Sequence, residues 1–387
     1  MIFKAKFIRD IEKKKMTQSE KKQMVDSFPE PRDDIDRTAF QYSCSYANAE
    51  KGKMAILHVL GCCAIPVLLI LYWINGLFCK RKEQQKAVLI NEQFLTGMSY
   101  QDKIPPALYE EFGDICVLNF KKYPDLFCGV LDRKSFGIWF KLFCRHPFCG
   151  LRNAACLSHI GSMNRILTEY SPRAVICYMA EKNFASSIVT CLCESKGSEY
   201  ICFMHGDSLT EVRCAFLRFS RFYLWSEHYR DMFNWGRCDE KQYRYYYPQM
   251  YTLDLPDLGH APEYFLTYYF SGNDESAQAV CDVMKKCNSE GKKCKVRPHP
   301  RYTDIPKIKS IFEPAGIYVE DPLSLRLEES VANTECVAAL FSTVQNQAYY
   351  AGKTMYIDDV SDPEYYMELR SRMALQTSLP HRLMSEL

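Results

Sequence analysis

The chain has 387 residues, of which 47% are hydrophobic and 25% are charged. These fractions are typical of a folded protein, and the length exceeds what one small core accommodates, so we expect two domains. The formal net charge of +2 gives no global basis for binding nucleic acid. The nineteen cysteines match no zinc spacing. We therefore expect no metal, no cofactor and no nucleic-acid partner, and thiols that stay reduced.

Composition divides the chain into five segments. They are a polar basic tail (1–53), a membrane segment (54–80), a first Rossmann-like domain for the acceptor (81–245), a linker (246–262), and a second Rossmann-like domain for a nucleotide donor, with a terminal helix (263–387). The tail is rich in lysine and is expected to be flexible, with some short helix. The first apolar run begins too late for a cleavable signal peptide, so none is expected.

The membrane segment carries no charged side chain from Met54 to Phe78. That length suffices to cross a hydrocarbon core of roughly 30 Å. Trp73 lies near its end and the basic cluster Lys80-Arg81-Lys82 follows, as is typical of a membrane boundary. Pro66 leaves a kinked span or a re-entrant segment open, and a buried helix of a soluble protein is a further alternative. We expect a membrane-associated protein whose body faces the cytoplasm.

The first domain alternates short apolar runs with helical patterns, which predicts parallel strands joined by crossover helices. The predicted strands are residues 87–90, 114–119, 174–178, 199–204 and 222–226. The fourth strand ends in His205-Gly206-Asp207. Glycine there lets the backbone turn sharply and approach a ligand, so this turn is a candidate functional site.

The linker is rich in tyrosine and proline, and a second α/β pattern begins after it. The predicted strands are residues 264–269, 293–296, 317–319, 337–340 and 354–357. The predicted helices are residues 277–289, 304–312, 324–332, 344–350 and 362–387. The fold class predicted for the whole chain is therefore α/β, with two Rossmann-like domains preceded by a hydrophobic membrane helix.

Two prolines enclose a histidine after the second strand of this domain, in Arg297-Pro298-His299-Pro300-Arg301. Proline fixes its own φ and keeps the preceding residue out of helix, so His299 is expected on a stiff, extended turn. Ligands of open α/β sheets bind at the carboxyl ends of strands. Because Arg297 and Arg301 make the turn cationic, it suits a phosphate group. The alternative is an ordinary surface turn.

Ser342 and Thr343 open a helix directly after a strand. Hydroxyl groups together with the unpaired N–H groups of a helix N-terminus bind phosphate well. The alternative is that the pair only caps the helix, which Ser and Thr do often. The presence of His299 in the same domain favours the phosphate interpretation.

The Arg297-Pro298-His299-Pro300 and Ser342-Thr343 motifs resemble the His-Pro and Ser-Ser/Thr motifs of bacterial GT-B glycosyltransferases. That group includes capsule sialyl- and polysialyltransferases and polymerases of the CDP-glycerol glycerophosphotransferase type. The latter also carry a His-Gly turn late in the first domain, which His205-Gly206 resembles. The similarity covers roughly residues 86–360. The acidic motif of the sialyltransferases is absent, because Asp207 follows Gly206 instead of preceding it.

The resemblance implies a GT-B fold and a metal-independent transfer of a sugar from a nucleotide-activated donor, with CMP-linked donors among the options, to a surface polysaccharide or lipid-linked acceptor. His299, Ser342 and Thr343 would contact the donor phosphate, and Arg297 or Arg301 would add positive charge. His205 would be the general base, with Asp207 as the alternative. A CDP-glycerol glycerophosphotransferase and a non-catalytic, membrane-anchored protein that binds a nucleotide or sugar are the alternative functions.

Overall fold

A computed structural model of the chain describes residues 16–47, 49–91, 104–119, 127–178, 180–204, 206–272 and 274–387. These residues form two compact units. The first comprises Met1–His205 and Thr210–Tyr247, and the second comprises Gly206–Leu209 and Pro248–Leu387. Each unit contains a six-stranded sheet whose strand pairs are parallel. The predicted α/β class with two Rossmann-like domains is confirmed.

The first sheet has the order β2-β1-β3-β4-β5-β6. Its strands are β1 (Ala87–Asn91), β2 (Ile115–Asn119), β3 (Ala174–Tyr178), β4 (Glu199–Phe203), β5 (Arg221–Leu224) and β6 (Tyr243–Tyr245). The helices of this unit are α1 (Gln18–Ser27), α2 (Asp34–Ser45), α3 (Lys51–Phe78), α4 (Pro106–Phe112), α5 (Arg133–Arg145), α6 (Gly150–Tyr170), α7 (Ser186–Ser195) and α8 (Glu227–Trp235). Every residue of β3 is buried, as expected for a parallel sheet covered on both faces.

In the described part of the predicted tail, the expected short helices are present, but they are packed and not flexible; residues 1–15 lie outside the described residues. Helix α1 begins at a capping box in which Thr17 and Glu20 bond each other's backbone N–H groups. Helix α2 begins at Asp33, whose carboxylate accepts the Ile35 and Asp36 N–H groups. Both helices pack into the first unit: Val25 and Cys44 are buried against Ala215 and Phe216.

Helix α3 contains the predicted membrane segment. It is 28 residues long, and among the described residues it is the one helix apolar and long enough to cross a membrane by length and composition. One face packs against α6, where it buries Leu57, Gly61, Ile65, Leu68 and Tyr72. Pro66 lies inside the helix without ending it.

The second sheet has the order β12-β11-β10-β7-β8-β9. Its strands are β7 (Tyr264–Tyr269), β8 (Cys294–Arg297), β9 (Tyr318–Val319), β10 (Thr334–Ala339), β11 (Thr354–Ile357) and β12 (Arg382–Leu383). Its helices are α9 (Ala277–Ser289), α10 (Ile305–Phe312), α11 (Leu327–Ala332), α12 (Thr343–Tyr350), α13 (Pro363–Ser371) and α14 (Leu375–Ser378). The terminal segment thus differs from the single helix expected over residues 362–387, because it divides into two helices and an edge strand.

Candidate functional site

The candidate site lies at the carboxyl edge of the second sheet. There β7 and β10 are neighbours, although the chain runs from β7 to β8 on one side and reaches β10 on the other. Such a switch point is where open α/β sheets bind ligands, outside the carboxyl ends of their strands. Three turns follow strands at this edge: Ser271-Gly272 after β7, Pro298-His299-Pro300 after β8, and Ser342-Thr343 after β10.

The turn after β7 contacts the turns on both sides of it. Ser271 donates its hydroxyl to Phe341 O at 2.8 Å, which ties it to the turn after β10. Gly272 has a φ of 103°, and a Cβ on it would lie 3.1 Å from Tyr302 O, beside the turn after β8. Both the backbone conformation and this close approach require glycine. Neither residue was predicted from the sequence to belong to the site, although Ser-Gly after a strand is a turn signal.

His299 is fixed by hydrogen bonds within its own turn. Its N–H donates to Thr303 Oγ1 at 3.1 Å, and its Nδ1 accepts the Arg301 N–H at 3.0 Å. Burial, together with the charge of Arg301, lowers the pKa of His299, which favours the neutral imidazole. A neutral imidazole that accepts at Nδ1 carries its proton on Nε2. The half-buried ring, stacked on Tyr302 at 4.5 Å between centroids, therefore offers an Nε2–H donor.

Arg297 lies in a different environment from the one expected for a phosphate ligand. It is only 8% exposed, and its guanidinium pairs with Glu320 and donates to Leu325 O at 2.8 Å. Glu320 also pairs with the buried Lys295. Buried charges require such pairing and hydrogen bonding. Arg297 therefore anchors the turn from inside the unit, whereas Arg301 is exposed at the surface of the turn.

Ser342 is the N-cap of α12. Its hydroxyl accepts the Val344 N–H at 3.3 Å, and its own N–H donates to Gln345 Oε1 at 3.2 Å, which makes a capping box. The capping alternative thus holds for this hydroxyl. Thr343 is the first residue of the helix and is half-buried. Capping takes up the Val344 N–H and, through Ser342 O at 3.1 Å, the Gln345 N–H. The Thr343 N–H at the start of the helix is the first-turn amide that remains to attract an anion.

Gln345 is a positioning residue that the sequence analysis missed. It is fully buried, and its Nε2 donates to Ala339 O at 2.8 Å and to Tyr356 O at 3.0 Å. These carbonyls end β10 and lie in β11, so one side chain fixes the first turn of α12 on both strands. Glutamine in a first helical turn is ordinary on a solvated surface, and its sequence position alone gave no signal of this role.

Asp207, the alternative base, belongs to the short segment Gly206–Leu209 that groups with the second unit. Its Oδ2 accepts a hydrogen bond from Asn346 Nδ2 at 2.7 Å. Asn346 is 1% exposed and lies in the first turns of α12. Asp207 is therefore held beside the helix that begins at Thr343. His205, the first choice for the base, lies outside the described residues.

The groups at this edge that suit an anion are hydrogen-bond donors and one exposed cation. They are the His299 Nε2–H, the Thr343 N–H and hydroxyl, and the Arg301 guanidinium. Within the described part of the chain, no group of three or more His, Cys, Asp and Glu side chains is placed to hold a metal ion. The cysteines are free thiols, many of them buried.

No protein-family model matches the chain, and no curated protein matches it in sequence. Several solved structures resemble it. UDP-N-acetylglucosamine 2-epimerase from Rickettsia bellii aligns with a TM-score of 0.39 and 12% identity, over 72% of this chain and 79% of its own. The wall teichoic acid polymerase TagF aligns with 0.39 and 12%, over 87% and 86%. The glycotransferase of kitacinnamycin aligns with 0.44 and 8%, over 80% and 88%. These similarities concern the two-sheet architecture.

Proposed function

We propose that this protein is a GT-B-type glycosyltransferase that uses a nucleotide-activated sugar and binds the donor phosphates at the carboxyl edge of its second sheet. The observation that carries the proposal is the hydrogen bond from the Arg301 N–H to His299 Nδ1 at 3.0 Å. Because Nδ1 accepts this bond, the proton of the neutral ring is placed on Nε2, which leaves it for another acceptor. A phosphate oxygen beside the α12 N-terminus is the acceptor that the surrounding donors suit best.

The proposed chemistry divides between leaving group and nucleophile. As the bond between the anomeric carbon and the donor phosphate oxygen breaks, the nucleotide leaves with added negative charge. The His299 Nε2–H, the Thr343 N–H and the Arg301 guanidinium would stabilise that charge. The acceptor hydroxyl forms the new carbon–oxygen bond and loses its proton to a base, for which His205 and Asp207 remain the candidates. Arg297 acts in this scheme as a positioning residue.

The acceptor proposed is a growing surface polysaccharide or a lipid-linked glycan, on an enzyme that works at a membrane from the cytoplasmic side. Support comes from the apolar helix α3, which belongs to the same folded unit as the first sheet. A CDP-glycerol glycerophosphotransferase would use the same phosphate-binding groups but would break a phosphorus–oxygen bond. The two reactions release different nucleotides from a CDP-linked donor: CDP after glycosyl transfer and CMP after glycerophosphate transfer.

The test is nucleotide release from a panel of CMP-, CDP- and UDP-linked donors, with membranes of the source cells as acceptor. We expect one donor class to be consumed, and His299→Ala to lower the rate by roughly 10²–10³-fold, as loss of a transition-state hydrogen-bond donor does. The matched control is His260→Ala, which removes an exposed imidazole from the same unit and should retain the rate. With a CDP-linked donor, the released nucleotide, identified by chromatography as CDP or CMP, separates glycosyl from glycerophosphate transfer.

Two results would contradict the proposal. Donor binding without release, in the presence of competent acceptor membranes, would make the protein a nucleotide-sugar binding protein. Full release by His299→Ala would remove the imidazole from the mechanism. Thermal unfolding of each variant verifies that the fold is retained, so that a loss of rate is assigned to the site.

A further inference from the structure

Helix α3 has two apolar faces, and only one of them is covered. The inner face packs along α6 from Leu57 to Tyr72. The outer face is exposed along the length of the helix. Its exposed large side chains are Ile56, Val59, Leu60, Val67, Ile70, Trp73, Ile74, Leu77 and Phe78, with Leu77 81% exposed. An apolar stripe of this length exceeds the scattered apolar residues of an ordinary protein surface and marks an interaction site.

The exposed stripe continues onto the neighbouring elements. Trp73 contacts Phe136 of α5 at 6.3 Å between ring centroids, and Phe136 stacks on Phe140 at 5.6 Å. Phe140 is itself exposed. Phe148, in the loop before α6, is 97% exposed and lies two residues before Gly150, which contacts α3. Large apolar and aromatic side chains thus extend the surface beyond a single helix.

The chain on both sides of α3 belongs to one folded unit. Before it, α1 and α2 pack on segments that are far later in the sequence: Asp34 accepts a hydrogen bond from Arg218 at 2.6 Å, and Gln41 donates to Arg213 O at 3.0 Å. After it, Leu131 N–H donates to Tyr72 O at 3.1 Å. A helix that crosses a bilayer places its two flanks on opposite sides. Because both flanks of α3 build the same unit, this fold is incompatible with a span.

The charge distribution identifies what covers the stripe. Lys51 and Lys53 are exposed at the start of α3, and Lys80, Arg81 and Lys82 are exposed just after its end. Lys53 pairs with Glu50 and Lys82 with Glu169, so Lys51, Lys80 and Arg81 contribute most of the positive charge. Basic residues beside an apolar, Trp-containing helix face are the pattern of helices that lie in the interface of anionic membranes. A second copy paired antiparallel along the stripe would bring these basic ends together, and like charges oppose such pairing.

We propose that α3, together with Phe136, Phe140 and Phe148, forms a docking surface that lies in the plane of an anionic lipid bilayer, with its outer face among the acyl chains and its basic ends at the headgroups. The protein is then bound to one leaflet and does not cross the membrane. The proposal rests on the packing and charge of the first unit and is independent of the proposed transferase activity.

Flotation of the purified full-length protein with preformed vesicles tests the surface. We expect binding to vesicles of phosphatidylcholine with phosphatidylglycerol, and weaker binding to phosphatidylcholine alone. The triple variant Val59→Gln, Val67→Gln, Ile70→Gln changes only exposed side chains, so it should fold normally and lose at least tenfold in partitioning. The matched control is Tyr318→Gln, Leu323→Gln, Met367→Gln, which removes exposed apolar side chains of the second unit and should float like the wild type.

A charge variant tests the headgroup contribution. Lys80→Gln and Arg81→Gln should each weaken binding to anionic vesicles by about fivefold and leave binding to phosphatidylcholine vesicles unchanged. Trp73 reports depth: its fluorescence, taken as the difference from Trp73→Phe, should be quenched more by bromines near the headgroup than by bromines deep in the acyl chains.

Membrane topology distinguishes a helix that lies on one leaflet from a helix that crosses the bilayer. In sealed membrane vesicles of expressing cells, epitope tags at the two chain ends should be digested from the same side. Digestion of one tag with protection of the other would overturn the proposal. A triple variant that floats like the wild type would overturn it as well. A wild-type protein that does not float, but forms a dimer which the triple variant dissociates, would assign the face to a second copy.

Discussion

At the scale of residues, two basic side chains beside the same turn lie in different environments. Arg297 is the last residue of β8 and points into the unit, where Glu320 neutralises it. Arg301 lies past the turn and is exposed. A guanidinium cannot shed its proton, so a buried one needs a partner that is also buried. The sequence places both residues beside His299, but it does not reveal which of them pairs with Glu320, since that partner follows β9 and lies far along the chain.

His299 should titrate below the ordinary histidine value of about 6.5. Burial is the main cause of the lowered pKa and the Arg301 charge adds to it. In Arg301→Gln the charge is lost while the backbone N–H to Nδ1 remains, so the pKa should rise towards the ordinary value. Arg370→Gln, on α13, should leave it unchanged. Imidazole nitrogen shifts in NMR spectra report both the pKa and the Nε2–H tautomer.

The sign of the pH effect on stability follows from the same shift. The unfolded chain takes up the proton near pH 6.5, before folded His299 does, so this residue makes the folded state less stable as the pH falls below 6.5 towards its lowered folded pKa. An Nδ1–H tautomer in the spectra, or a pKa above 6.5, would contradict the hydrogen-bond arrangement on which the phosphate proposal depends.

At the scale of elements, α3 and α6 approach until their backbones touch. A Cβ on Gly61 would lie 2.4 Å from Gly150 C, and one on Gly150 would lie 2.2 Å from His58 O. Further along, the Tyr72 ring would meet a Cβ on Gly161 at 2.4 Å. Glycine at these positions allows the close crossing that buries the inner face of α3.

Gly61→Ala should therefore lower the free energy of unfolding by about 1–3 kcal/mol, the usual cost of overpacking. Gly137→Ala is the matched control, because a Cβ on Gly137 in α5 meets nothing within 4 Å. That substitution should raise the free energy of unfolding by about 0.5–1 kcal/mol through its helix propensity. Denaturant titration measures both; equal effects of the two substitutions would contradict the packing described.

Elements with strong local signals could be predicted from the sequence. Helix α9 agrees with its predicted range because its apolar residues recur at helical spacing and Gly291 ends the pattern. Strand β8 and its turn follow from the enclosing prolines. Strand β6 (Tyr243–Tyr245), by contrast, was not among the strands predicted for the first domain, since three residues of an edge strand are defined only by pairing with β5. The apolar run of α3 predicts a helix, but it does not predict which element packs against the inner face of that helix.

At the scale of the whole molecule, the helices that precede α3 pack against segments of the first unit that come much later in the sequence. The Phe28, Phe40 and Phe216 rings cluster with centroids 4.9–5.5 Å apart. Arg237 donates to Phe28 O at 2.6 Å. The polar composition of residues 1–53 concealed this packing, because each short helix contributes only a few apolar residues and their partners lie far along the chain. The Thr17–Glu20 capping box was the local signal available.

Val25→Ala tests this arrangement. Val25 is fully buried, so its truncation should destabilise the first unit by about 1–3 kcal/mol. Gln23→Ala changes an exposed residue of the same helix and should have an effect within about 0.5 kcal/mol. Calorimetric unfolding of the full chain provides the measurement. A flexible tail would make both substitutions neutral, which would contradict the packing of α1.

The two helices of the α3–α6 pair are synthesised at different times. The apolar helix α3 leaves the ribosome before residue 150 has been synthesised. At about 5–20 residues per second, its partner α6 follows only after several seconds. During that interval the apolar segment, which has the length and composition of a membrane span, has no α6 to cover its inner face. Nascent-chain handling, and not the final energy minimum alone, would then decide whether a given molecule acquires the folded unit described here.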